Sequence, residues 1–186
     1  MDARKILGIA PRCIFTAGLV LIPFTLQAAS QGSLGATSTG SVSVTITITD
    51  SVKITDLDDV AFPSYGGSNT GAINQGDAFC VYRNGSDGYS ITASNPNGSE
   101  FALVGATDAD VLQYTVALDE SDDASSANAV TYNTAVNFTS GSPNTDCSEE
   151  GDGTNTAFDI RIAEQELRDG SSQNYTGTLQ LLLQPI

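Results

Sequence analysis

No histidine and no tryptophan occur anywhere in this sequence. Without histidine, neither a Ser-His nor a Cys-His nucleophile pair can be assembled, and a zinc site loses its commonest nitrogen ligand. Without tryptophan, the core residue of antibody-type sandwiches is missing, and a sugar-binding cleft must build its platforms from tyrosine and phenylalanine. Positive charge is scarce as well: 7 lysines and arginines stand against 22 acidic residues, a formal net charge of −15. That balance argues against nucleic acid and anionic membrane surfaces as partners, because both need positive patches. There is no Gly-x-Ser-x-Gly elbow, no phosphate-cradling glycine loop and no Cys-x-x-Cys pair. Carboxylates are plentiful enough for a glycoside-hydrolase pair, but most cluster at turn positions. Asp108 and Asp110, Asp119 to Asp123, and Asp146 to Asp152 form oxygen-rich loops of a kind calcium can use. None fits an EF-hand or the glycine-aspartate nonapeptide, and solvated turns are the plainer reading. No catalytic residue, metal ligand or cofactor is expected.

What is present begins with an export signal over residues 1–30. Arg4, Lys5 and Arg12 make a basic start, Ile14 to Leu26 is a mostly apolar run, and Ala28-Ala29-Ser30 offers small residues for cleavage before Gln31. The run is short and broken by Pro23, which favours a cleaved signal over a retained membrane anchor. Cys13 follows Pro11 and Arg12, not the small residues of a lipoprotein cleavage site. The signal holds Arg4, Lys5, Arg12 and Asp2 of the 7 basic and 22 acidic residues, so 4 and 21 remain, a formal charge of −17. Two cysteines are left, Cys80 and Cys147, and in an exported chain an even pair most simply forms a disulfide. The sequons at Asn84, Asn97, Asn137 and Asn174 are what a chain rich in Asn, Ser and Thr produces by composition.

The remaining residues read as short strands separated by turn signals. Val52 and Ile54, Ala78 to Tyr82, Tyr89 to Ala93, Phe101 to Val104, Leu112 to Leu118, Val130 with Tyr132, Val136 with Phe138, and Phe158 to Ile162 alternate or cluster as strands do. Asn84-Gly85, Asp87-Gly88 and Asn97-Gly98 supply the positive φ of tight reversals. Ala163 to Arg168 offers one turn of helix. Seven to nine strands with almost no helix predict an all-β, immunoglobulin-like antiparallel sandwich, with a jelly roll or closed barrel as the alternative.

The two ends of the exported chain are its most regular parts. Gly40, Val42, Val44, Ile46 and Ile48 fall on one face of an extended segment whose other face is only Ser and Thr. Tyr175, Leu179, Leu181 and Leu183 share a face in the closing segment. A cleavable signal, this N-terminal alternation, a second extended segment at Val52-Lys53-Ile54, and the closing Asn174-Tyr-Thr-Gly-Thr-Leu-Gln-Leu-Leu-Leu183 together resemble bacterial chaperone–usher fimbrial subunits. The flavour is that of the alternate-class colonisation-factor pilins and the archaic, spore-coat-protein-U-like pilins. Phe158-Asp-Ile-Arg-Ile162 followed by a glycine-containing loop fits the same pattern.

The resemblance implies a sandwich lacking its last strand, with residues 31–50 as a donor-strand segment and 51–186 as the pilin domain. Val42, Val44, Ile46 and Ile48 would be inserted into a neighbour with Gly40 in register, and Tyr175, Leu179, Leu181 and Leu183 would line or border the receiving groove. The implied partners are other copies of the chain or related pilins, a periplasmic chaperone, an outer-membrane usher and a host or abiotic surface. The implied role is a fimbrial subunit supporting adhesion or biofilm formation at the cell surface, with no enzymatic activity. The alternative is a self-contained, secreted β-sandwich module that binds carbohydrate or calcium.

Overall fold

A computed structural model describes residues 29–66, 70–85, 88–149, 151 and 153–186. The expected signal peptide lies outside the described residues apart from Ala29 and Ser30. The chain divides into two units, Met1–Thr47 and Ile48–Ile186. Within the described part of the first unit, Ser30 and Ser41 exchange backbone hydrogen bonds of 2.9 and 3.0 Å.

The second unit carries nine strands among its described residues: β1 (Ser51–Thr55), β2 (Ile73–Asn84), β3 (Tyr89–Ser94), β4 (Ala102–Gly105), β5 (Val111–Asp119), β6 (Ala135–Phe138), β7 (Thr156–Ile162), β8 (Tyr175–Thr176) and β9 (Gln180–Pro185). One short helix, α1 (Glu164–Asp169), follows β7. Six strands form one sheet in the order β1-β2-β7-β5-β4-β8, and three form a second in the order β6-β3-β9. Every ladder between these strands is antiparallel. The fold is therefore the all-β antiparallel sandwich that the alternating pattern predicts.

Period-two alternation places the core. Leu112, Tyr114, Val116 and Leu118 of β5 point inward, and so do Phe158, Ile160 and Ile162 of β7. All of these but Leu112 join Phe79, Val81, Tyr89, Ile91 and Ala93 from β2 and β3 in one core cluster. Aromatic rings add directed contacts, with Phe101 5.6 Å from Tyr114 and 5.0 Å from Tyr132, centroid to centroid. Tyr89 is fully buried, and its hydroxyl pairs with Thr156 Oγ1 at 3.1 Å. Burial pushes that phenol up to about 12. Gly76 lies where β2 and β7 approach closely, and a side chain there would collide with the Phe158 carbonyl.

Cys80 and Cys147 are bonded, with their Cα atoms 5.8 Å apart. The bond ties the otherwise irregular segment after β6 onto β2. The Asn155 side chain adds a second tie, accepting from Val81 N at 2.9 Å and donating to Val81 O at 3.0 Å.

Residues 42–50 carry no strand assignment in the single chain. Two expectations need correction. Val130 and Tyr132 do not make a strand; Tyr132 instead turns its hydroxyl to the carbonyls of Gly98 (2.8 Å) and Asn95 (3.2 Å). The closing segment is two strands, not one: Tyr175 sits on β8, paired with β4, whereas Leu181 and Leu183 sit on β9 in the other sheet. Gly177 permits that crossing, since a Cβ there would lie 2.9 Å from both the Ala102 carbonyl and Leu103.

The disulfide closes a sequence separation of 67 residues, for which chain-entropy arguments give about 4 kcal/mol. The Cys80→Ser/Cys147→Ser double variant is expected to lose about that much in urea unfolding. An unchanged midpoint would show that the bond constrains nothing.

Candidate functional site

The candidate site lies around β9 and the segment that leads into it. The one ladder of β9 is with β3, running from Tyr89↔Pro185 to Ser94↔Gln180. Among the described residues no strand pairs with its other edge, although β1 lies close to β9. An unpaired edge presents a row of backbone donors and acceptors ready to accept another strand. One face of β9 is apolar, with Leu181 and Leu183 packed partly against the core, and the other carries Gln180, Leu182 and Gln184, with Leu182 52% exposed.

Beside the start of β9 lies an open groove of about 1330 Å³. Its apolar surface comes from Leu112, Tyr114, Phe158, Ile160 and Ile162 of the large sheet, with Leu103, Leu167, Leu179 and Leu181 around them. Val60 and Phe62 form one wall on the irregular segment after β1, and Gly170 to Gly177 forms the other. Both sheets thus contribute apolar side chains to a slot that no strand of the unit fills.

The second wall is held by polar bonds. Asp110 accepts from Ser171 N (3.0 Å), Tyr175 OH (2.7 Å) and Val111 N (2.9 Å). Asp108 accepts from Ser171 Oγ (2.9 Å), from Asp110 N (3.1 Å) and from the Gln173 amide. These donors hold both carboxyls below their usual range, the Gln173 amide contributing most at Asp108 and the Ser171 N–H most at Asp110. Glu166 of α1 accepts from Gln113 N at 3.0 Å and ties the helix to β5.

Of the terminal residues read from sequence, Tyr175, Leu179 and Leu181 line this groove, while Leu183 lies further along β9. The alternating N-terminal residues stand open to solvent: Val42, Val44, Ile46 and Ile48 are 73%, 88%, 82% and 72% exposed. The segment that carries them joins the sandwich at a clamp. Asn84 donates from Nδ2 to Thr49 O at 2.9 Å and accepts from Ser51 Oγ at 3.0 Å and from Ser51 N. Phe62, Ile162, Leu167 and the Asp108–Asp110 bonds were not legible as site residues, because only the fold brings them to the groove. Among the described residues, no group of three or more acidic or cysteine side chains is placed to hold a metal ion, and no helix is long and apolar enough to cross a membrane.

No protein-family model matches the sequence, and no curated protein does. A solved chain from a chaperone–tip adhesin complex, described as vital for synergistic activation of CFA/I fimbriae biogenesis, superposes with a TM-score of 0.45 at 17% identity. The match covers 66% of this chain and 37% of that one, so this chain spans well under half of that chain's length.

Asn84→Ala removes the clamp while leaving the β1–β2 ladder in place. It is expected to speed amide exchange at Ser51 and to cost about 1 kcal/mol. Unchanged exchange at Ser51 would mean that the ladder alone fixes the root of the segment.

Proposed function

We propose that the protein is a structural subunit of a cell-surface fimbria and polymerises by donor-strand complementation. The carrying observation is the coexistence in one chain of an unfilled apolar slot beside an unpaired strand edge and an exposed segment of alternating β-branched residues. Side chains on one face of an extended strand repeat every ~6.7 Å, so Val42, Val44, Ile46 and Ile48 cover about 20 Å, the length of a strand such as β9. Burying four such side chains is worth about 6–12 kcal/mol before the cost of ordering the segment. Main-chain bonds to β9 would add affinity, and the alternating side chains would fix the register.

Connectivity favours a second copy as the source of the strand. Ser51 pairs with Asn84 at the end of β2, and Tyr89 at the start of β3 pairs with Pro185. The root of the N-terminal segment and the end of β9 therefore share one end of the sandwich. A segment leading into that root and folded back beside β9 would have to run parallel to it. A strand from another molecule is free to run antiparallel, like every other ladder in the fold, and antiparallel pairing is the more stable per residue.

In this reading a periplasmic chaperone would occupy the groove until an outer-membrane usher passes the subunit to the growing fibre. The assembled fibre would stand at the cell surface and support adhesion or biofilm formation. A subunit of this kind needs no catalytic set or cofactor, in keeping with the absence of histidine. Gly40 would enter in register with the four apolar residues, where a small side chain suits close approach of two backbones.

A chain lacking residues 31–50 is expected to be unstable on its own and to be rescued by a peptide of Ser41 to Asp50, measured as a rise in melting temperature. A peptide carrying Ile46→Asp should rescue poorly. A truncated chain that is a stable monomer, indifferent to either peptide, would refute the proposal.

A further inference from the structure

Between α1 and β8 the groove wall has almost nothing apolar to hold it. Gly170, Ser171, Ser172, Gln173 and Asn174 are small or polar, and no strand or helix is assigned to them. Packing cannot fix such a segment, so its position depends on hydrogen bonds. Those bonds converge on the short turn between β4 and β5. Ser171 N, Ser171 Oγ, the Gln173 amide and Tyr175 OH all donate to Asp108 or Asp110. Two backbone contacts complete the attachment: Ala106 N donates to Asn174 O at 2.9 Å and Thr107 N to Gln173 Oε1 at 2.7 Å. Repulsion from Asp110 works against ionised Asp108, and hydrogen-bond donors outweigh it.

We propose that Asp108 and Asp110 are positioning residues for the strand-acceptor groove: they hold its Gly170–Tyr175 wall in place and so set how tightly a donor strand is gripped. This rests on the reading of the groove as a strand acceptor. Neither carboxylate touches the donor; each acts through Ser171, Gln173 or Tyr175, which line the groove. An ionised carboxylate only accepts, so protonation removes acceptor sites that the wall requires.

The sign of the pH effect follows from the depressed values of both groups. Their contribution is complete above the unfolded carboxylate value of about 3.9 and is lost as pH falls through the lower folded values. The clasp is therefore fixed at neutral pH and opens only in acid. Other ionisable groups face the same region: Glu100 and Glu166 bonded to Gln113, Arg168 and Asp169 at the end of α1, and Tyr175 itself.

The test uses the exported full chain and a fluorescent peptide of Ser41 to Asp50, with affinity followed by anisotropy from pH 7.5 to pH 3. Asp110→Asn is expected to weaken peptide binding about tenfold, as the loss of charge-assisted bonds implies. Asp108→Asn/Asp110→Asn should weaken it further and abolish the acid limb that the parent shows below the ordinary carboxylate range. Tyr175→Phe keeps the ring and removes one donor, giving a milder loss of about threefold should the aspartate variants fail to fold. Asp123→Asn, whose carboxyl is also held low but by Ser125 in a remote loop, should change nothing. Parental affinity and an unaltered acid limb in the double variant, or full affinity in Tyr175→Phe, would overturn the positioning role while leaving the acceptor reading intact. Failure of the parent chain to bind the peptide would overturn the acceptor reading, and the positioning role with it.

Discussion

The unpaired edge of β9 is the constraint on which the rest depends. Backbone N–H and C=O groups need partners, and a strand beside an apolar slot needs its neighbouring volume filled. β9 meets the first requirement on one side only, through β3, and the slot beside it meets neither. A sandwich completed by its own chain would carry one more strand there. In the proposed reading, residues 42–48 of a second copy supply it.

Elsewhere the unit is held by its sheets, its disulfide and a set of polar ties. The large sheet is six strands wide, and side chains of β5 and β7 serve both the core and the groove. Cys80–Cys147 and Asn155 pin the long segment after β6 to β2. With so few cations available, the groove's irregular wall is secured by hydrogen bonds to carboxylates and not by ion pairs; among the described residues the one salt bridge is Arg168–Glu164 on the surface of α1. A surface so acidic also discourages unspecific association of exposed apolar segments, leaving shape and register to select the partner.

Much of the fold was legible because alternation marks strands directly. β5, β7 and β3 follow from Leu112 to Leu118, Phe158 to Ile162 and Tyr89 to Ala93, and the expected export with an even cysteine count pointed to the disulfide that the structure contains. Less was legible where tertiary structure decides. Val130 and Tyr132 alternate as a strand would, yet a phenol finds better partners in the Asn95 and Gly98 carbonyls. The closing segment has one continuous pattern, but Gly177 lets it cross between sheets, which separates Tyr175 from Leu181 and Leu183. Half of the site was visible as its leucines. Phe62 and the donors to Asp108 and Asp110 come from irregular segments, and only the folded chain brings them together.

Hydrogen exchange at two segments, 42–48 and 180–185, measured over a wide range of protein concentration tests the central claim most directly. If the N-terminal segment of one copy pairs with β9 of another, the amides of both segments gain protection together as concentration rises and lose it together on dilution. Protection of residues 42–48 that persists unchanged in the most dilute monomer would contradict the account, because the segment would then be satisfied within its own chain.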